Sequence, residues 1–219
     1  MAELVFSSGV MQLLIALILV STFLILGSTR LYSCVRAFGI QSFFLACVAG
    51  VVAFSTGKID IYIVAILTLA IKAMLIPYIF IYIIREIKVK REVALYVSIS
   101  HSLIIGGILV VISYYLIRSI NVITELSGFA LSASMSLVSI GLFIMISRKK
   151  AIMQMLGILI MENGLFLGAI SLTHGMPLLV ELGIFFDVLI GVLIMGIIIF
   201  RINKTFETID TDMLKTLIG

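Results

Sequence analysis

Seven times along its 219 residues the chain runs for about twenty positions with almost no charge. The runs cover roughly 9–27, 37–55, 61–84, 93–117, 125–147, 151–172 and 178–200. At 1.5 Å rise per residue each is long enough to cross about 30 Å of hydrocarbon as a helix. Lipid offers backbone groups no hydrogen bonds, so a spanning segment must be a helix or part of a closed barrel. A membrane barrel would show segments of about ten residues with alternating polarity, and these runs are longer and unbroken. The expected fold is therefore all-α, a polytopic membrane protein of about seven transmembrane helices. Composition agrees: 63% of the residues are hydrophobic and 12% charged, against about 45–50% and 25% in soluble domains. That excludes a water-soluble enzyme, a disordered chain and a disulfide-stapled secreted domain.

The N-terminal stretch Met1–Val5 has no basic region and no small-residue cleavage site, so the first span is expected to be a retained helix. The cations set the expected orientation. Arg30, Arg36, Arg85, Lys88, Lys90, Arg91, Arg148, Lys149, Lys150, Arg201, Lys204 and Lys215 fall on one side of a seven-span arrangement. Only Lys58 and Arg118 fall on the other. The positive-inside rule then places the N-terminus outside and the C-terminus in the cytoplasm. The loops, such as 56–60 and 173–177, leave no room for an extramembrane domain.

A shift of 118 residues brings Arg30 onto Arg148, Gly39 onto Gly157 and Gly50 onto Gly168. A three-residue contraction then brings Lys72 onto Asp187. This suggests an N-terminal three-helix unit over 1–92, a linking helix over 93–124, and a second, parallel three-helix unit with a tail over 125–219.

Three ionisable residues fall near the middle of spans: Lys72, Glu162 and Asp187. Each would cost at least about 2.5–3.5 kcal/mol facing lipid, so each is expected to face protein or water. A carboxyl withdrawn from water there can hold and release a proton near neutral pH, the physical requirement of a relay. The plainer alternative is a packing role, with Lys72 pairing a carboxylate to lock helices together. Asn163 can offer a hydrogen bond beside Glu162. Pro77 is expected to kink the third span and free a backbone carbonyl. Gly157, Gly164, Gly168, Gly183, Gly191 and Gly196 mark faces where helices can approach closely. Glu181 reads as an interface anchor, His174 as a solvated turn residue and His101 as a packing histidine. Cys34, expected in a short loop, and Cys47 have no CxxC partner. No metal constellation assembles from two distant His and two distant Cys, and no nucleotide or hydrolase motif is present. No cofactor is expected on this chain, and it is not expected to be an enzyme by itself.

The stretch 155–167 (MLGILIMENGLFL) is similar to the second helix of the small three-helix subunit K of bacterial complex I, usually of the type LIGLEIMINA. The related small C component of multi-component cation/proton antiporters shares that helix. The stretch 187–193 (DVLIGVL) resembles the third helix of that family, usually of the type EASIGLAL. The tail 208–219 also ends much as that family ends. The whole length, with four further helices in front, resembles component E of hydrogenase-4-type formate hydrogenlyase complexes, and Met161–Gly164 (MENG) carries that resemblance most specifically.

The resemblance implies a non-catalytic membrane subunit of a complex I-related oxidoreductase complex in a prokaryotic cytoplasmic membrane. Such a subunit helps translocate protons or sodium ions coupled to electron transfer, through Glu162, Asp187 and Lys72. It implies antiporter-like and membrane-anchor subunits as partners, together with a peripheral hydrogenase-like arm. A small C-type component of a cation/proton antiporter and a purely structural spacer are the alternatives. Departures from the pattern matter. The complex I glutamate stands at the place of Leu159 here; Glu162 lies roughly 4.5 Å further along and about 60° around the helix. Asp187 is one methylene shorter than the usual glutamate.

Overall fold

A computed structural model of the chain describes residues 9–86, 96–120 and 125–173, with the isolated positions 191 and 196. Helix α1 is Gly9–Gly27 and α2 is Leu31–Thr56. Helix α3, Ile59–Leu67, runs into a π-helical stretch, Thr68–Leu75, which continues as α4, Ile76–Glu86. Helices α5, Ile99–Ser119, α6, Glu125–Ser147, and α7, Ala151–Thr173, complete the described residues. Six spans are long and apolar enough to cross a membrane, the third being the composite Ile59–Arg85. The protein is thus all-helical and polytopic among the described residues. The expected seventh span and the tail lie outside them, apart from Gly191 and Gly196.

The helix ends follow local chemistry. Gly57 adopts φ 66°, and its N–H reaches Ala53 O at 2.9 Å. That left-handed cap lets the chain turn at once into α3, where a side chain would be strained. Asp60 then stands in the first turn of α3, favourably placed against the helix dipole. Helix α2 begins six residues earlier than its apolar run suggests. Leu31, Cys34 and Val35 already form a buried face, while Arg36 projects outward. Cys34 is therefore a buried helical residue, not a loop residue, with Sγ 3.8 Å from Ile25 O. A single exposed charge in the second turn does not stop a helix whose opposite face is buried.

Pro77 has no N–H to offer the carbonyl of Ala73 one turn earlier, and its ring would crowd that oxygen. The preceding backbone widens, and Ile76 N–H bonds to Ile71 O in an i→i+5 step. Gly39 of α2 makes the room: a Cβ there would lie 3.2 Å from Pro77 Cγ and 3.3 Å from Ala73 O.

Helix α7 is the most enclosed span, 72% buried, and α5 the least, 17% buried, so α7 runs through the interior while α5 faces outward. Helix α7 packs most extensively on α6, and α2 packs on α1, on the π-containing third span and on α7. The α6–α7 seam is made of small residues. A Cβ on Gly141 would lie 2.6 Å from Gly157 O, and one on Gly164 2.9 Å from Ser134 O. Ser134 Oγ bonds to Gly164 O at 2.7 Å. Backbones this close are the usual device for joining helices in lipid, where no hydrophobic force draws them together.

The residues related by the 118-residue shift have different surroundings. Gly39 meets Pro77 and Ala73, whereas Gly157 meets Met145 and Gly141; Gly50 meets nothing within 4 Å, whereas Gly168 meets Ser134. Arg30 is exposed and Arg148 fully buried.

Candidate functional site

The seam that joins α7 to α6 also decides what the other side of α7 presents. Gly157 and Gly164, two turns apart, line one face. Glu162 and Asn163 project from the opposite face, toward α2 and the third span. There Lys72, in the π-helical stretch, is 1% exposed, and its Nζ lies 2.6 Å from Glu162 Oε1. Lys72 Nζ also donates to Asn163 Oδ1 at 3.1 Å and stands 5.9 Å from the centre of the Phe166 ring.

Asn163 carries the contact onward. Its Nδ2 donates to Gln41 Oε1 at 3.3 Å and to Ser42 Oγ at 3.2 Å on α2. Gln41 Nε2 donates to Thr22 Oγ1 at 2.7 Å on α1, and that hydroxyl donates to Ile18 O at 2.9 Å. A directed chain of donors thus runs from the ammonium of Lys72 through α7 and α2 into α1. Thr22, Gln41, Ser42, Lys72, Glu162 and Asn163 are all buried. Two buried oxygens, Glu162 Oε2 and Thr68 Oγ1, have no hydrogen-bond partner among the described residues. Thr68 stands four residues before Lys72 on the same stretch.

Burial makes the ion pair consequential. Each charge taken out of water alone would cost several kcal/mol, and the mutual attraction offsets this only with close geometry and further hydrogen bonds. Lys72 has both. Glu162 has one oxygen on the ammonium and one without a partner among the described residues. The amides of Asn163 and Gln41 do not ionise near neutral pH; they fix where the ammonium points. Among the described residues Glu162 and Lys72 are the titratable members of the site.

Of the three sequence-expected residues, the structure brings Lys72 and Glu162 together, while Asp187 lies outside the described residues. Asn163, expected only as a neighbour of Glu162, is the hub that ties α7 to α2. Thr22, Gln41, Ser42 and Thr68 were not expected. The signal that could have found them is the same as for the charges, a polar side chain deep in an apolar run, but hydroxyls and amides are common enough in such runs to pass unnoticed. His174 and Glu181 lie outside the described residues. His101 is exposed, not packed, with Nδ1 2.6 Å from Ser98 Oγ at the start of α5. Among the described residues no group of three His, Cys, Asp or Glu side chains could hold a metal.

Arg148 also departs from expectation. Counted among the loop cations, it is fully buried, and its Nη2 donates to Leu26 O at 2.9 Å, on one of the last carbonyls of α1. Those carbonyls have no intrahelical donor, so a guanidinium from the α6–α7 turn satisfies one and ties the two helix ends together.

Over 156 residues the chain is 32% identical to the uncharacterized protein Rv0085 of Mycobacterium tuberculosis, covering 70% of this chain and 71% of that protein. Over 90 residues it is 32% identical to hydrogenase-4 component E of Escherichia coli, covering 41% of this chain and 42% of component E. Component E of Shigella flexneri matches to the same extent. The second relationship therefore spans less than half of either protein. No protein-family model and no solved structure match the chain. The extent of the first match places this chain in one family with Rv0085, as a polytopic helical membrane protein.

Proposed function

We propose that the chain is a membrane subunit of an energy-converting redox complex related to hydrogenase-4, in which the Lys72–Glu162 pair takes part in moving protons or sodium ions. One observation carries the reading: a lysine and a glutamate, both buried, 2.6 Å apart, are held by a directed hydrogen-bond chain across three helices. Such a pair can store and release a proton by switching between its charged and neutral forms. Glu162 Oε2, which has no partner among the described residues, is the atom at which the carboxyl would take up a proton. Asp187 would be the second carboxylate of the path. The partial similarity to hydrogenase-4 component E supports a redox complex as the setting. The chain's own part would be non-catalytic and free of cofactors. Its partners would be antiporter-like and membrane-anchor subunits and a peripheral hydrogenase-like arm. The setting would be a prokaryotic cytoplasmic membrane, with the N-terminus outside and the C-terminus in the cytoplasm.

The test uses the assembled complex in sealed vesicles, with ion uptake measured per electron pair. Glu162→Gln and Asp187→Asn keep shape and remove the exchangeable proton. Each should lower coupled uptake, the double variant more, while electron transfer to a soluble acceptor survives. Wild-type stoichiometry in an assembled double variant would leave the charges as helix locks and the chain as a spacer.

A further inference from the structure

On its outer surface the protein carries a groove of about 520 Å³ between the start of α2 and the π-containing third span. On α2 it is lined by Arg36, Gly39, Ile40 and Phe43, one face of the helix; Ala73 and Pro77 line it from the other side. Ile40 and Phe43 are each close to half exposed. Among the described lining residues Arg36 alone is charged, and no described carboxylate pairs with it. The depression is built in: Gly39 has no side chain, Ala73 a small one, and Pro77 already stands in contact distance of any atom added at Gly39.

We propose that this groove binds an anionic glycerophospholipid, with one acyl chain along the groove and its phosphate on the Arg36 guanidinium. Size argues for a lipid chain. Arg36 to Phe43 covers about 10 Å of helix, so the groove averages about 50 Å² in section, room for a file of methylenes. Depth argues the same way. The 26 residues of α2 extend about 39 Å, some 9 Å beyond the hydrocarbon thickness, so Arg36, five residues from the start, lies at the boundary where its side chain reaches phosphates. Charge completes the fit: an apolar slot ending at headgroup level in a cation that no described carboxylate pairs matches a molecule with an apolar tail and an anionic head. The occupant would rest on the outer side of the stretch that carries Lys72.

The chain has no tryptophan, so a single one introduced at the groove reports on it alone. The full chain carrying Phe43→Trp is reconstituted in vesicles, and quenching by bromine on the acyl chains is compared for phosphatidylglycerol and phosphatidylcholine. The groove should prefer phosphatidylglycerol by about fivefold, the effect of one cation on an anionic surface. Leu24→Trp, at an exposed position of α1 away from the groove, should show no headgroup preference. Adding Arg36→Gln to Phe43→Trp should bring the ratio to one, and Arg36→Lys should keep it above one. Adding Ala73→Phe, which fills the slot and leaves Arg36 in place, should also remove the preference. No preference with Phe43→Trp, or one that survives Arg36→Gln or Ala73→Phe, overturns the proposal.

Discussion

Replacing Lys72 by methionine keeps the length and most of the volume of the side chain and removes its charge. Glu162 is then left buried, with neither oxygen paired in the described structure. Removing one partner of a buried ion pair destabilises by about 3–5 kcal/mol, because the remaining charge stays uncompensated. Glu162→Gln should cost a similar amount for the mirror reason: the ammonium of Lys72, 1% exposed, keeps Asn163 but loses its counter-ion. The double variant removes both charges. Its remaining loss is that of Asn163 Oδ1, which no longer has the Lys72 donor, about 1–3 kcal/mol. The two substitutions should therefore couple by at least about 3 kcal/mol, more than a hundredfold in the unfolding equilibrium. The pH dependence has a sign as well. In Lys72→Met the penalty should shrink as pH falls, since a protonated Glu162 needs no counter-charge. In Glu162→Gln it should shrink as pH rises and the lysine can shed its proton. The assay is detergent-driven unfolding of the purified chain in mixed micelles, followed by far-ultraviolet circular dichroism, for wild type, both single variants and the double. Additive losses, agreeing within about 0.5 kcal/mol, would mean that the 2.6 Å contact carries no stabilising energy.

Gly157→Ala should destabilise by about 1–3 kcal/mol in the same unfolding assay, since its Cβ would come 2.8 Å from Gly141 O and the α6–α7 seam would have to open. Gly50→Ala, with nothing within 4 Å, should be neutral or stabilise by up to about 1 kcal/mol. Asn163→Leu should cost about 1–3 kcal/mol or more, because it strips a donor from Gln41 and an acceptor from Lys72; a change under 0.5 kcal/mol would mean that the hub is not formed in the membrane. With Cys34 and Cys47 replaced, single cysteines near Lys58 and near Lys149 should react with impermeant maleimides from opposite sides of the membrane. Labelling from one side would overturn the seven-span orientation.

The spans were legible because lipid allows few solutions: about twenty apolar residues with internally satisfied backbone leave little besides a helix. Lys72 and Glu162 were legible for the same reason, since a charge in such a run needs a partner inside the protein. What could not be read was which carboxylate Lys72 meets. That choice is set by helix rotation, and rotation is set by packing between residues far apart in sequence. Glu162 faces the third span because Gly157 and Gly164 hold the other side of α7 against α6. Pro77 shows the same limit. The missing N–H was visible in the sequence, but the room for a widened, π-helical backbone is given by Gly39, thirty-eight positions earlier and on another helix. Arg148 was counted among the loop cations because its neighbours in sequence are charged; the carbonyl that takes it belongs to α1.

Placing Lys72 in a π-helical stretch has a consequence for the pair. A π turn holds about one residue more than an α turn, so it is wider, and its side chains project at angles that the flanking α-helices do not offer. The stretch begins at Thr68 and ends at Leu75, directly before the turn that contains Pro77. Such segments are less stable than α-helix and persist where something else holds them. Two holds act here: Gly39 and Pro77 in contact on one side, and the Lys72 contacts with Glu162 and Asn163 on the other. The electrostatic pair and the backbone geometry therefore support each other. A change in the protonation of Glu162 would weaken the side-chain hold on the stretch that presents Lys72. This is the route by which a local proton event could reach the helices packed against it, and it requires no contact beyond those already formed by Thr22, Gln41, Ser42 and Asn163.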